Sequence, residues 1–100
     1  MFQRRASSGP DPETASAVVA GAGTAEANGT YTRSGSFDGK PRYVSGGNEI
    51  AWNAGSVRWE MAIDGLGTGY ESANDVAYPW LATWAVADGD SPAPTVTIGS

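Results

Sequence analysis

The sequence predicts a small all-β protein, either an antiparallel β-sandwich or a partly open barrel of about seven short strands, behind an extended N-terminal arm. Three observations predict it. Residues 57–64 (Val-Arg-Trp-Glu-Met-Ala-Ile-Asp) alternate strictly, putting Val57, Trp59, Met61 and Ile63 on one face and Arg58, Glu60 and Asp64 on the other, the period-2 pattern of a half-buried strand. Turn dipeptides such as Asn28-Gly29 and Asp38-Gly39 divide the chain into short segments, the spacing expected of a sandwich or barrel. The aliphatic content is lean, with fourteen Val, Ile, Leu and Phe among 100 residues, while four Trp and four Tyr supply large side chains to bury, so the core is expected to be built around aromatics.

Residues 1–16 contain Pro10 and Pro12 and little to bury, which suits an extended arm. Asp11-Pro12 also fits the start of a short helix over 11–17, but such a helix lacks an apolar face to hold it. The β domain is expected over 17–100. Its strands fall near 17–20, 29–34, 41–45, 48–53 and 57–63. A two-residue turn at Ala54-Gly55 pairs Trp52 with Val57 and Ile50 with Trp59, which turns both Trp inward. A register shift of one residue sets Trp59 against the partner's polar face. The run Asp64-Gly65-Leu66-Gly67-Thr68-Gly69 reads as loop, followed by Tyr70-Glu71-Ser72, a polar turn at 73–75, a segment 80–86 that suits a strand or a helix, and a last strand at 95–98.

Composition excludes several chemistries. The chain has no Cys and no His, so thiol nucleophiles, Ser-His-Asp triads, sulfur or imidazole zinc sites and disulfides are ruled out. Six basic against eleven acidic residues give a net charge of -5, and with no basic stripe nucleic acid is not an expected partner. The longest apolar runs are a few residues, so neither membrane insertion nor a signal peptide is expected. Among the carboxylates, Glu49 and Glu60 fall on predicted solvent faces, and no pair stands out as acid and base. Asp88-Gly89-Asp90 and Asp64 lack calcium-loop spacing and read as turn chemistry. The expectation is a non-enzymatic protein without a cofactor.

The ordered set Gly21-Ala22-Gly23-Thr24-Ala25-Glu26-Ala27-Asn28-Gly29-Thr30-Tyr31, Asp38-Gly39-Lys40-Pro41-Arg42-Tyr43, Ile50-Ala51-Trp52, Trp59, Pro79, Trp84 and Pro92-Ala93-Pro94-Thr95-Val96-Thr97 resembles a small, largely uncharacterised β-rich module of bacteriophage and environmental bacterial proteins. The resemblance spans about residues 17–98 and brings no catalytic or binding residues. It implies a β-rich structural or adhesive module, often of virion context. Together with the arm, it leads to the expectation of a minor capsid or decoration component of a phage particle, docked through residues 1–16, whose partners are other virion proteins or copies of itself.

Trp52 and Trp59 belong to the predicted core. Trp80 and Trp84, beside Tyr78, are expected as the exposed pair and, with Phe2, Arg4 and Arg5 of the arm as anchor, form the candidate partner surface. Tyr31 and Tyr43 follow similar turns and are read mainly as cross-strand packing, with stacking on a sugar ring as the functional alternative. The alternative to an assembly component is a carbohydrate-binding module, or an adaptor of a tail or fibre.

Overall fold

The computed structural model describes residues 11–99. The elements are β1 (Ala17–Ala20), β2 (Gly29–Phe37), β3 (Lys40–Ser45), β4 (Asn48–Asn53), β5 (Arg58–Ile63), β6 (Gly67–Ser72), β7 (Ala85–Val86) and β8 (Thr95–Ile98), with single 3-10 turns at Ala25–Ala27 and Pro79–Leu81. All eight strands join one antiparallel sheet in the order β7-β6-β5-β4-β3-β2-β1-β8, curled into a half-barrel. The fold is therefore the partly open barrel of the two expected architectures. Strands β2 to β7 form a meander of neighbours, and β8 returns to pair with β1, Ala17 opposite Ile98 and Ala20 opposite Thr95.

One face of the sheet is buried. Cross-strand neighbours Tyr43, Ile50, Met61 and Tyr70 form one continuous row, and all four are fully buried. Trp52 pairs directly with Trp59, their rings meeting edge to face at 6.0 Å and 71°, a geometry that adds about 0.5–1.5 kcal/mol beyond burial. The segment 73–94 folds over this concave face and supplies the second layer: Trp84 is buried in it, and Val76, Trp80, Ala82 and Ala93 pack against it. The opposite face carries the ion pairs Arg42–Glu49, Arg58–Glu60 and Arg58–Glu71, with Glu49 and Glu60 on that side as the alternation requires.

Most buried aromatics have their polar atom tied to backbone. The Tyr31 hydroxyl donates to the Ala27 carbonyl at 2.7 Å, Trp59 Nε1 to the Val76 carbonyl at 3.1 Å and Trp84 Nε1 to the Pro79 carbonyl at 3.0 Å. The Tyr70 hydroxyl accepts from the Thr24 amide at 2.9 Å and donates to the Asp90 carbonyl at 2.7 Å. It joins the segment before β2 to the segment before β8, across the open side of the half-barrel. These bonds explain why a lean core holds irregular segments in place: each ring is buried while its polar end fixes a loop.

Four expectations are corrected. The β4–β5 connection is longer than two residues. Trp52 faces Trp59, Ile50 faces Met61 and Asn53 faces Arg58, a register displaced by two positions, which keeps the residues from Arg58 onward on their predicted faces but not Val57. Val57 consequently leaves the strand; it is exposed with a φ of 55°, a strained conformation for a β-branched residue. Residues 64–69 are not all loop, because β6 begins at Gly67. Gly65 and Gly67 do make the turn, with φ of 81° and 90°, but Gly69 serves close packing: a Cβ there would lie 2.9 Å from Ile63 Cγ1. The segment 80–86 is neither a strand nor a helix throughout; a 3-10 turn at Pro79–Leu81 precedes a two-residue strand. Finally, β2 runs three residues beyond its expected end, across a bulge between Arg33 and Ser36.

Of the expected arm, residues 1–10 lie outside the described residues. Residues 11–15 form a turn in which the Thr14 and Ala15 amides donate to the Asp11 carbonyl and the Glu13 amide to Asp11 Oδ1 at 3.0 Å. Ala15 is buried, and the Ser16 carbonyl accepts from the Gly99 amide at 2.8 Å.

Candidate functional site

The candidate site is a groove of about 410 Å³ between the 11–15 turn, the β2–β3 hairpin and the segment after β6, lined by Glu13, Arg33, Ser36, Lys40, Pro41 and Tyr78 among others. Each polar wall residue is placed by the fold. Arg33 follows Tyr31 by two positions in β2 and lies opposite Tyr43, on the inward side of the sheet. Its Nε donates to the Gly35 carbonyl at 3.0 Å and its Nη1 to the Glu13 carbonyl at 2.6 Å, so the guanidinium is held between the bulge and the N-terminal turn. Lys40 Nζ donates to Asp75 Oδ1 at 2.6 Å and to the Val76 carbonyl at 2.8 Å, and sits 4.2 Å from the Trp52 ring centroid. Glu13 Oε2 accepts the Tyr78 hydroxyl at 2.5 Å.

Beside the groove lies an aromatic ladder. Tyr78 and Trp80 stack at 4.8 Å and 5°, and Trp80 meets Tyr43 edge to face at 5.9 Å and 67°. Tyr78 and Trp80 are half-buried, and the next residue, Leu81, is 58% exposed. The hydroxyl of Tyr43 is buried and bonded to nothing among the described residues. Burial pushes its ionisation up to about 12, against a partial lowering by Arg33, with Tyr78 and Glu13 raising it further. These three neighbours all line the groove. Tyr78 is also raised, first by its hydrogen bond to Glu13.

The sequence-selected residues thus separate. Tyr78 and Trp80 belong to a surface that is partly open. Trp84 does not: it is 7% exposed, because its Nε1 bond to Pro79 folds the ring under the 79–81 turn. Tyr31 and Tyr43 are fully buried and offer no ring face to a sugar; register and burial make them core, as the packing reading held. Phe2, Arg4 and Arg5 lie outside the described residues. Glu13, Arg33, Ser36, Lys40 and Leu81 escaped the sequence reading. The signal for Arg33 was present in the alternation, since a charged residue two positions from inward-facing Tyr31 must stand on the inward face.

The other depression, about 270 Å³ on the outer face, is lined by Phe37, Glu49, Ala51, Asn53, Glu60 and Ala62, with Trp52. Its carboxylates are held in ion pairs with Arg42 and Arg58. Among the described residues there is no cluster of three Asp or Glu side chains suited to a metal ion, and no helix is long and apolar enough to cross a membrane. No protein-family model, curated protein or solved structure matches this chain, so the functional reading rests on its own residues.

Proposed function

We propose that the chain is a non-enzymatic structural component of a larger assembly, a virion in the reading that its module resemblance implies, and that it contacts other virion proteins or copies of itself through one composite surface. One observation carries this reading. The 11–15 turn is fastened to the rim of the aromatic ladder, through Glu13 to Tyr78 and Arg33, so the chain preceding residue 11 joins the body beside Tyr78, Trp80 and exposed Leu81. In this reading Phe2, Arg4 and Arg5 and the aromatic surface serve one contact. A half-buried Trp stacked on a Tyr is the composition of an interface anchor, and a segment tethered to the same domain adds contacts at high effective concentration.

The test is sedimentation velocity of the full chain, of a chain starting at Asp11 and of the Trp80→Ala variant, at matched concentration and salt. The cut is placed at residue 11 because Glu13 and Ala15 belong to the folded body. Defined oligomers of the full chain that dissociate on truncation and weaken at least tenfold in Trp80→Ala support the reading. For assembly with other virion proteins, the same variants are scored by incorporation into particles. Retention of both self-association and incorporation after truncation and in Trp80→Ala overturns it.

A further inference from the structure

The groove carries an inference beyond assembly. Lys40, Arg42 and Arg58 each have a carboxylate partner within salt-bridge distance. Arg33 has none among the described residues: its guanidinium is held by two backbone carbonyls, and Nη2 has no acceptor there. A cation fixed by neutral groups beside a cleft is organised in advance for an anion, because its orientation is already set when the ligand arrives. Opposite it across the sheet stands Tyr43, a buried phenol with no partner among the described residues, a desolvation cost that a ligand oxygen removes. The lining carboxylate, Glu13, accepts the Tyr78 hydroxyl through Oε2, and its Oε1 has no donor among the described residues, so the wall sets an acceptor for a ligand hydroxyl beside the Arg33 donors.

The volume falls at the lower end of small-ligand clefts, about 300–1,000 Å³. The wall combines an aromatic ring, a hydroxyl and charged groups, which suits a polyhydroxylated ring more than an apolar molecule. An extended peptide fits less well. The β2 edge is broken by the bulge, and the Ser34 and Gly35 carbonyls already accept from Arg42 and Arg33, so no continuous ladder is offered to an added strand. We propose that this groove binds a carboxylated saccharide of the uronic-acid class: its carboxylate accepts from Arg33 Nη2, one of its hydroxyls replaces Tyr78 as the donor to Glu13, and an oxygen then reaches the Tyr43 hydroxyl.

The experiment is calorimetric titration of the full chain with three probes: a trimer of galacturonic acid, the same trimer with its carboxyls methyl-esterified, and an acetylated, amidated triglutamate peptide. The expected result is binding of the free-acid trimer and at least tenfold weaker binding of the other two. Arg33→Gln is expected to weaken the trimer at least tenfold. Tyr43→Phe, which removes a hydroxyl with no protein partner and therefore folds, is expected to weaken it at least threefold. Absence of trimer binding, equal binding of the ester, or an unchanged affinity in Tyr43→Phe overturns the proposal. Equal or tighter binding of triglutamate overturns the saccharide class in favour of an acidic peptide. Should Arg33→Gln fail to fold, Tyr43→Phe and the ester decide alone. None of these results depends on the sedimentation behaviour, so the groove and the assembly surface stand or fall separately.

Discussion

Tyr70 and Tyr43 occupy the same cross-strand row, separated by Met61 and Ile50, and both are fully buried. Their hydroxyls have opposite fates. That of Tyr70 makes two hydrogen bonds and joins segments far apart in sequence, whereas that of Tyr43 makes none among the described residues. Burial and strand position are equal, so the difference lies in what the covering segments present. Over Tyr70 they bring the Thr24 amide and the Asp90 carbonyl; over Tyr43 they bring the Trp80 ring and the wall of a groove. Similar residues in one row thus serve closure at one end of the sheet and leave unused polar capacity at the other.

Removing single oxygens sharpens this contrast. Tyr70→Phe leaves the Thr24 amide and the Asp90 carbonyl without their partner and is expected to lower unfolding free energy by about 2–3 kcal/mol in urea denaturation. A loss below about 0.5 kcal/mol would break the comparison. Tyr31→Phe, which loses the bond to Ala27 and the contact from Asn48 at 3.3 Å, is expected to cost about 1–2 kcal/mol by the same measurement. Tyr43→Phe has no bond to lose, and its stability without ligand is expected to stay within about 0.5 kcal/mol of the parent or to rise.

Alkaline titration separates the same side chains. A tyrosine ionises near 10 in an unfolded chain, while Tyr43 is held up at about 12 by burial, and Tyr31 is raised for the same reason. The folded state then binds the proton more tightly. Their contribution to stability is complete below about pH 10 and declines as pH rises through 12. Denaturation midpoints measured across that window should fall with pH in the parent and fall less steeply in Tyr43→Phe. Identical slopes would show that the phenol is not shielded.

Much of the fold was legible because alternation is a direct consequence of strand geometry. Trp59, Met61 and Ile63 declared the buried face of β5, and the face of Trp52 followed from pairing. The exact register did not, since a displacement by two positions preserves every face; only the longer 54–57 connection decides it. Gly69 misled because glycine marks close approach as readily as it marks a loop. Segment 80–86 was illegible because its conformation is set by side-chain bonds to backbone, Trp84 Nε1 to the Pro79 carbonyl and the Thr83 amide to Asn74 Oδ1, which leave no periodic trace. The groove was hidden for a related reason: its walls come from residues 13, 33, 40 and 78, and only the inward parity of Arg33 hinted that a charge lay on the concave side.

The pairing of β1 with β8 also fixes how the domain answers tension. Ala17 and Ile98 face each other at one end of that ladder, and the Gly99 amide clasps the Ser16 carbonyl just outside it. A pull between residues 16 and 99 therefore loads the ladder as a zipper, breaking the clasp and then each rung in turn toward Ala20 and Thr95, instead of shearing all rungs together. Force transmitted through both ends of the domain would peel β8 away at low load and leave the β2–β7 meander intact, so this domain resists load better when held by its faces than by its ends.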